Sequence, residues 1–192
     1  MQRLNPVLEA ARELQVFLES KEADFCFIGG LAIQRWGEPR FTNDTDASLL
    51  TRFVDDEKWI DLLLMRFQPR RPEAKEFARS RRVLLLRATN GVGIDISLAA
   101  LEFEIRSVSR SSPWKLPDGS SITTCCAEDL IVHKAFASRD RDWLDVDTIL
   151  ARQGPKLDTA LIFSELEPLV ELKEEPFILD KLRAQMRRRQ IL

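Results

Sequence analysis

Two segments with alternating side chains constrain the fold of this chain more than any other feature of its sequence. In a β-strand successive side chains point to opposite faces, so Asp44 and Asp46 would share one face of a strand over residues 44–50. A second strand-like run, residues 92–103, places Asp95 as a lone acid opposite a row of aliphatic side chains. We expect these strands to bury one face and to leave the carboxylates facing solvent or a cation.

The rest of the chain is mixed in its first part and helical in its last part. The predicted elements are helix 6–20, strand 25–28, helix 31–36, strand 44–50, helix 54–67, antiparallel strands 82–87 and 92–103, and a helical stretch 127–190 with a break near residues 138–142. This order predicts an α/β (α+β) fold with a mixed β-sheet core, flanking helices and a C-terminal helical section. The predicted domains are a core at 1–126 and a helical section at 127–192 that packs on it.

Composition narrows the classes of function. The formal net charge of −2 gives no general attraction for nucleic acid or membranes. No apolar run approaches the roughly 20 residues of a spanning helix, and residues 1–6 lack a cationic leader with an apolar stretch behind it, so we expect a cytoplasmic protein without a membrane partner. The single histidine and three cysteines lack the spacing of a zinc site or a catalytic triad. Any catalysis would therefore depend on carboxylates.

The three carboxylates have the chemistry of a magnesium site. Mg²⁺ prefers hard oxygen ligands and keeps waters and substrate phosphates in its shell, so two or three carboxylates are enough. Two such ions stabilise the attacking and leaving oxygens of a phosphoryl displacement. The alternative is structural, because Asp-x-Asp is common on solvated strands and an acid such as Asp95 also protects a sheet edge from aggregation.

Gly29 and Gly30 lie between the predicted strand 25–28 and helix 31–36. A strand, a tight turn and a helix start form a cleft in which backbone N–H groups and the helix dipole receive phosphate. The alternative is a simple turn that needs unusual backbone angles.

In order along the chain, Ile28-Gly29-Gly30, Asp44-Thr45-Asp46 and Asp95 resemble the motif of the nucleotidyltransferases of the DNA polymerase beta superfamily. That motif is a hydrophobic residue followed by Gly-Gly/Ser, a spacer, Asp-x-Asp/Glu and a later strand carboxylate. More narrowly, Arg40-x-Thr42-x-Asp44-x-Asp46 and the stretch 128–145 resemble the AbiEii-type and MenT-type nucleotidyltransferases associated with toxin–antitoxin systems.

The resemblance covers roughly residues 22–150 and implies a mixed-sheet nucleotidyltransferase core. It implies Mg²⁺, or Mn²⁺ in its place, as cofactor and the transfer of a nucleotide from a nucleoside triphosphate to an acceptor hydroxyl. Asp44 and Asp46 would bind the metals, and Asp95 would complete the metal site and help to activate the acceptor. The nucleotide-binding residues would be Gly29, Gly30, Arg40, Thr42, Lys134 and Arg141.

Lys134 and Arg141 resemble a positively charged pair on the helical side of the cleft in such proteins. Their seven-residue spacing would put them on one face of a continuous helix, whereas a break near residue 138 would separate them. The alternative for both residues is a solvated helix face.

The acceptor is not determined by any residue of the sequence. Basic residues are concentrated in the segment 66–87, and this band could guide an RNA acceptor such as a tRNA end. Protein hydroxyls and small molecules are the other acceptors, and the toxin-like resemblance implies a cognate antitoxin as partner. Two other functions stay open: a metal-dependent hydrolase of nucleotides or phosphodiesters, and a catalytically silent nucleotide-binding module.

Overall fold

The structure, a computed structural model, describes residues 4–192, and the chain divides into two compact units. The first unit contains residues 4–31 and 41–125, and the second contains residues 32–40 and 126–192. The second unit therefore combines the C-terminal helical stretch with a short segment from the N-terminal half. The predicted domain limits, 1–126 and 127–192, stay a prediction.

The helices and strands follow one another closely along the chain. In order they are α1 (Pro6–Glu19), β1 (Phe25–Phe27), α2 (Gly29–Trp36), β2 (Asp44–Leu50), α3 (Asp56–Arg66), β3 (Gln68–Pro69), α4 (Ala74–Arg81), β4 (Val83–Arg87), β5 (Gly93–Ala99), α5 (Glu102–Ser109), β6 (Ser112–Lys115), β7 (Ser121–Thr124), α6 (Ala127–Ala137), α7 (Asp140–Gln153), a short 3₁₀ turn (Gly154–Lys156), α8 (Thr159–Lys173) and α9 (Phe177–Arg188).

The strands of the first unit form one mixed sheet. Within residues 4–192 it has seven strands in the order β3-β4-β5-β2-β1-β7-β6. β2 is parallel to β5 and β1 is parallel to β7, whereas the other neighbouring pairs are antiparallel. The mixed sheet with flanking helices confirms the predicted fold class.

The core of the first unit lies between helices and one face of this sheet. Leu14 and Leu18 of α1 are fully buried in the same cluster as Phe27, Leu49 and Ile94. Because side chains alternate along β2 and β5, burying these aliphatic positions turns the acidic positions of both strands to the opposite face. Core packing thus fixes the direction in which the carboxylates point.

The strand predicted over residues 92–103 ends earlier, at Ala99, so its predicted C-terminal limit is wrong. The carboxylate of Glu104 accepts hydrogen bonds from the N–H groups of Ala100 and Leu101, both at 2.8 Å. These bonds satisfy backbone donors that would otherwise be unpaired at a helix N-terminus, and α5 begins at this point. Helix α4 and the β6–β7 pair were not predicted.

The helical stretch of the second unit breaks where the sequence predicted. Ser138 adopts a left-handed conformation, with φ of 57°, and ends α6. The carboxylate of Asp142 accepts a hydrogen bond from the N–H group of Arg139 at 3.3 Å and caps the start of α7. No helix within residues 4–192 is both long enough and apolar enough to cross a membrane.

Candidate active site

The parallel pairing of β2 with β5 brings the three predicted carboxylates onto one face of the sheet. In the register of these strands Asp46 lies opposite Asp95, and Asp44 lies opposite Gly93. All three acids are partly buried, whereas Thr45 and Ile94 on the opposite face are fully buried. The first unit therefore presents a cluster of negative charge at the centre of its sheet.

Gly29 and Gly30 are the first two residues of α2, which begins two residues before its predicted start, and they pack directly against this cluster. The N–H group of Gly30, at the start of α2, donates a hydrogen bond to Oδ2 of Asp46 at 3.3 Å. Gly29 has a φ of 58°, and a Cβ atom on it would collide with the Asp46 carboxylate. A Cβ atom on Gly30 would lie 2.6 Å from Oγ1 of Thr42. Both glycines are thus required by the space that the neighbouring side chains occupy.

Thr42 precedes β2 and holds Asp44 from one side. Its hydroxyl lies 3.2 Å from the backbone oxygen and 3.2 Å from Oδ1 of Asp44, and its single proton serves one acceptor at a time. Thr42 is buried, so these contacts are protected from water. The position of Thr42 suits orientation of the Asp44 carboxylate, and its role as a nucleotide contact stays a prediction.

Arg70 reaches into the carboxylate cluster. The sequence predicted only that it belongs to the basic band of residues 66–87. Its Nη2 forms an ion pair with Oδ1 of Asp95. Its Nη1 lies over Gly93, where a Cβ atom would be 2.8 Å from Nη1 and 3.4 Å from Cβ of Asp44. The guanidinium is therefore seated among the predicted metal ligands, in space that the missing side chain of Gly93 leaves open.

The electrostatic environment raises the pKa of Asp95 to about 6. Burial of the carboxyl is the largest cause, and the negative charges of Asp46 and Asp44 act in the same direction. The positive charge of Arg70 opposes them without cancelling the shift. Asp95 therefore titrates close to neutral pH, which is the range of a useful general base.

The second unit holds the other predicted nucleotide-binding residues in or near a buried ion-pair cluster. Arg40 contacts Asp145 with two nitrogens, at 2.7 and 2.8 Å. Nζ of Lys134 lies 3.1 Å from Asp142 and 2.8 Å from Asp145. Burial works to raise the pKa of Asp145, but hydrogen bonds from Arg40 and Lys134 outweigh it and lower that pKa.

Lys134 and Arg141 do not share one continuous helix, so the argument from their seven-residue spacing is wrong. Lys134 is on α6 and is buried, whereas Arg141 is on α7 and is exposed. The left-handed turn at Ser138 separates the two helices. The nucleotide-binding roles of Arg40, Lys134 and Arg141 stay predictions.

The basic band of residues 66–87 is partly neutralised within the first unit. Arg66 pairs with Glu13, Arg79 with Glu57, and Arg82 with Asp56. Each ion pair neutralises a positive charge that would otherwise attract nucleic acid to this surface. A role of the band in RNA binding stays a prediction.

No group of three or more His, Cys, Asp or Glu side chains in residues 4–192 is gathered closely enough to hold a metal ion as it stands. Asp95 instead faces the Arg70 guanidinium, which supplies the positive charge. The donor set of Asp44, Asp46 and Asp95 nevertheless fits a hard divalent cation, because it offers only carboxylate oxygens on one partly open face. A metal ion and the Arg70 guanidinium would therefore compete for the Asp95 carboxylate.

The mixed sheet and its helices define the class of fold, which is that of nucleotidyltransferase-like proteins. An antigenic nucleotidyltransferase-like protein from Paracoccidioides brasiliensis superposes with a TM-score of 0.51 at 16% identity, and the match covers 92% of this chain and 91% of that one. A weaker match is the antibiotic-resistance factor ANT(2'')-Ia, with a TM-score of 0.45 at 10% identity over 95% of this chain and 92% of that one.

Sequence comparison adds no narrower assignment. A search against protein-family models finds no match, and a search of curated proteins finds none either. The shared structure establishes the fold, and the resemblance to AbiEii-type and MenT-type proteins stays a prediction.

Proposed function

We propose that this protein is a metal-dependent nucleotidyltransferase, which transfers a nucleoside monophosphate from a nucleoside triphosphate to an acceptor hydroxyl. The observation that carries the proposal is the parallel register of β2 and β5, which sets Asp44, Asp46 and Asp95 on one face. Gly29 and Gly30, at the start of α2, lie against one of these acids, Asp46. The fold shared with a nucleotidyltransferase-like protein supports the same class.

Asp44, Asp46 and Asp95 would hold Mg²⁺, or Mn²⁺ in its place. A bound ion would neutralise charge on the triphosphate and on the departing pyrophosphate. Such a cation would relieve the mutual repulsion of the carboxylates, which contributes to the raised pKa of Asp95. Hydrogen bonding to Thr42 would keep Asp44 in position.

Asp95 is the proposed general base. It would accept the proton of the acceptor hydroxyl, and its pKa, about 6 in the metal-free protein, leaves it ionised at neutral pH. The acceptor oxygen would form a bond to the α-phosphorus while the bond from that phosphorus to the bridging oxygen breaks. Pyrophosphate would leave with the bonding electron pair. The chain forms no covalent intermediate, so its contribution is positioning and electrostatic stabilisation.

The proposed nucleotide-binding residues are of two kinds. Gly29 and Gly30, at the start of α2, would receive the triphosphate through backbone N–H groups and the helix dipole. Arg40, Lys134 and Arg141 would contribute positive charge, since guanidinium and ammonium groups suit phosphate oxygens. Arg40 and Lys134 are paired with Asp145, so a phosphate would have to compete with that carboxylate.

The proposed acceptor is a hydroxyl of RNA, such as a tRNA end, or of a protein. The likeness of Arg40-x-Thr42-x-Asp44-x-Asp46 to the toxin-associated nucleotidyltransferases supports a toxin role with a cognate antitoxin as partner. Two exposed basic residues of the band 66–87, Arg71 and Arg81, support an RNA acceptor.

Labelled substrate tests this proposal directly. The intact protein is incubated with Mg²⁺, each α-labelled nucleoside triphosphate in turn, and total RNA plus protein. We expect label on one acceptor class, its loss in Asp44→Ala/Asp46→Ala, and its retention in Asp180→Ala, which removes a carboxylate with an exposed fraction of 83% on α9. Free labelled monophosphate without a labelled acceptor would replace the transferase with a hydrolase. Triphosphate binding without any turnover would indicate a silent nucleotide-binding module.

A further inference from the structure

Arg70 lies at the carboxylate cluster, and the proposed chemistry assigns it no role. It follows the short edge strand β3, and its N–H group is tied to the carbonyl oxygen of Leu85 at 3.0 Å. Its backbone is thereby fixed on the sheet while its side chain extends across β4 to Asp95 on β5. The side chain is only 25% exposed, so the guanidinium is held among the acids and not in bulk solvent.

The guanidinium has more hydrogen-bond donors than its partner accepts. One nitrogen pairs with Asp95, and the buried Nε has no hydrogen-bond partner within the described part of the chain. An unpaired buried donor costs free energy, so this arrangement favours a second acceptor next to Arg70. A phosphate group offers several oxygens to the planar guanidinium, and it is negatively charged like the carboxylate that it would replace.

We propose that Arg70 exchanges partners during the reaction: it holds Asp95 before metal binds, and it binds a phosphate of the nucleoside triphosphate after the metal has taken Asp95. This inference rests on the proposed function and adds a substrate-binding residue to the same site. The exchange keeps the carboxylate cluster partly neutralised in the absence of metal. It also prevents an unpaired arginine from remaining among the acids once the metal is bound.

The exchange predicts opposite effects of one substitution on two ligands. In Arg70→Gln, Mn²⁺ alone should bind about tenfold more tightly, because no internal cation competes for Asp95. A non-hydrolysable α,β-methylene triphosphate, added with saturating Mg²⁺, should bind about tenfold more weakly, because one charged donor to phosphate is lost. A residue with a merely structural role would not move the two affinities in opposite directions.

Arg71→Gln is the matched control, since it removes the same charge one residue away, where the guanidinium lies 4.3 Å from the centre of the Phe77 ring. Mn²⁺ binding is measured by the electron paramagnetic resonance signal of the free ion, and analogue binding by calorimetry, on full-length protein. If Arg70→Gln is poorly folded, Arg70→Lys replaces it, with the same directions and smaller changes expected. Equal Mn²⁺ affinities in the Arg70 and Arg71 variants, or unchanged analogue affinity, would overturn the exchange.

The same titrations separate this inference from the proposed function. Mn²⁺ binding that Asp46→Asn abolishes and Arg70→Gln leaves unchanged would refute the exchange and leave the metal site standing. Mn²⁺ binding that neither substitution affects, or no Mn²⁺ binding by any variant, would refute both.

Discussion

Asp95 shows how the surroundings of one carboxyl raise its pKa. It lies on a strand whose alternate positions build the core, so it is partly withdrawn from water. Two further acids share its face, and each adds to the cost of ionising it. The result is a carboxyl whose pKa of about 6 is well above its ordinary value of 3.8.

This shift predicts a pH dependence of nucleotidyl transfer. Below about pH 6 the raised pKa keeps Asp95 protonated in the metal-free protein, so it neither binds a metal ion nor accepts a proton; above that pH it is ionised. At a Mg²⁺ concentration well below saturation, we expect kcat/KM for label transfer to rise about tenfold per pH unit below pH 6 and to level off above it. Circular dichroism at each pH is the control for folding, and a profile that is flat between pH 5 and pH 8 would refute Asp95 as the base.

The sequence predicted the three acids but not that Arg70 pairs with Asp95. The period of two along a strand is local, so the common face of Asp44 and Asp46 follows from the residues themselves. The contact between Arg70 and Asp95 spans 25 residues and depends on the pairing of β3 with β4. β3 has only two residues, Gln68 and Pro69, which give no strand signal. Gly93, the small residue opposite Asp44, was the available hint that a large side chain enters there.

Among the elements, the turn from β1 into α2 is the most sharply constrained. Gly29 has a positive φ and no space for a side chain, because the Asp46 carboxylate fills that space. Gly91, in the turn between β4 and β5, also has a positive φ, of 85°, but no atom lies within 4 Å of its added Cβ. At Gly91 an added side chain would meet only backbone strain, whereas at Gly29 it would also collide with Asp46.

We predict different outcomes for alanine at these two turns. Gly91→Ala should lower the free energy of unfolding by only about 1 kcal/mol, because alanine adopts the left-handed conformation less readily than glycine. This variant should retain transfer activity. Gly29→Ala should displace Asp46 as well and reduce label transfer at least about 100-fold. Urea unfolding and label transfer are measured on both variants, and full activity of Gly29→Ala would show that Asp46 does not need its present position.

Other elements show where local patterns fail. Helix α1 and strand β2 match their predicted limits closely, because an N-cap with Pro6 and a strict alternation are complete local signals. Strand β5 stops at Ala99 because Glu104 caps the next helix, a signal that the aliphatic run before it obscured. β6 and β7 have four residues each and gain their stability from pairing with each other, so the sequence alone did not reveal them.

At the scale of the whole molecule, the chain builds one unit from a sheet and another from helices, and the second takes residues from two distant parts of the sequence. Residues 32–40 join the helical unit, in which Arg40 pairs with Asp145 and Arg152 donates to the carbonyl oxygen of Gly37. Such long-range contacts are not encoded in composition or periodicity. The sequence therefore predicted the C-terminal helical stretch but not that residues 32–40 join it.

The stoichiometry of the products tests most directly whether the carboxylate cluster of the first unit catalyses transfer of a nucleotide. With the acceptor identified, acceptor-linked α-label and released pyrophosphate are measured together for the intact protein, Asp46→Asn and Asp180→Asn. We predict equal amounts of the two products for the intact protein and Asp180→Asn, and a loss of both for Asp46→Asn. Products that persist in Asp46→Asn, or pyrophosphate released without any acceptor-linked label, would contradict the claim.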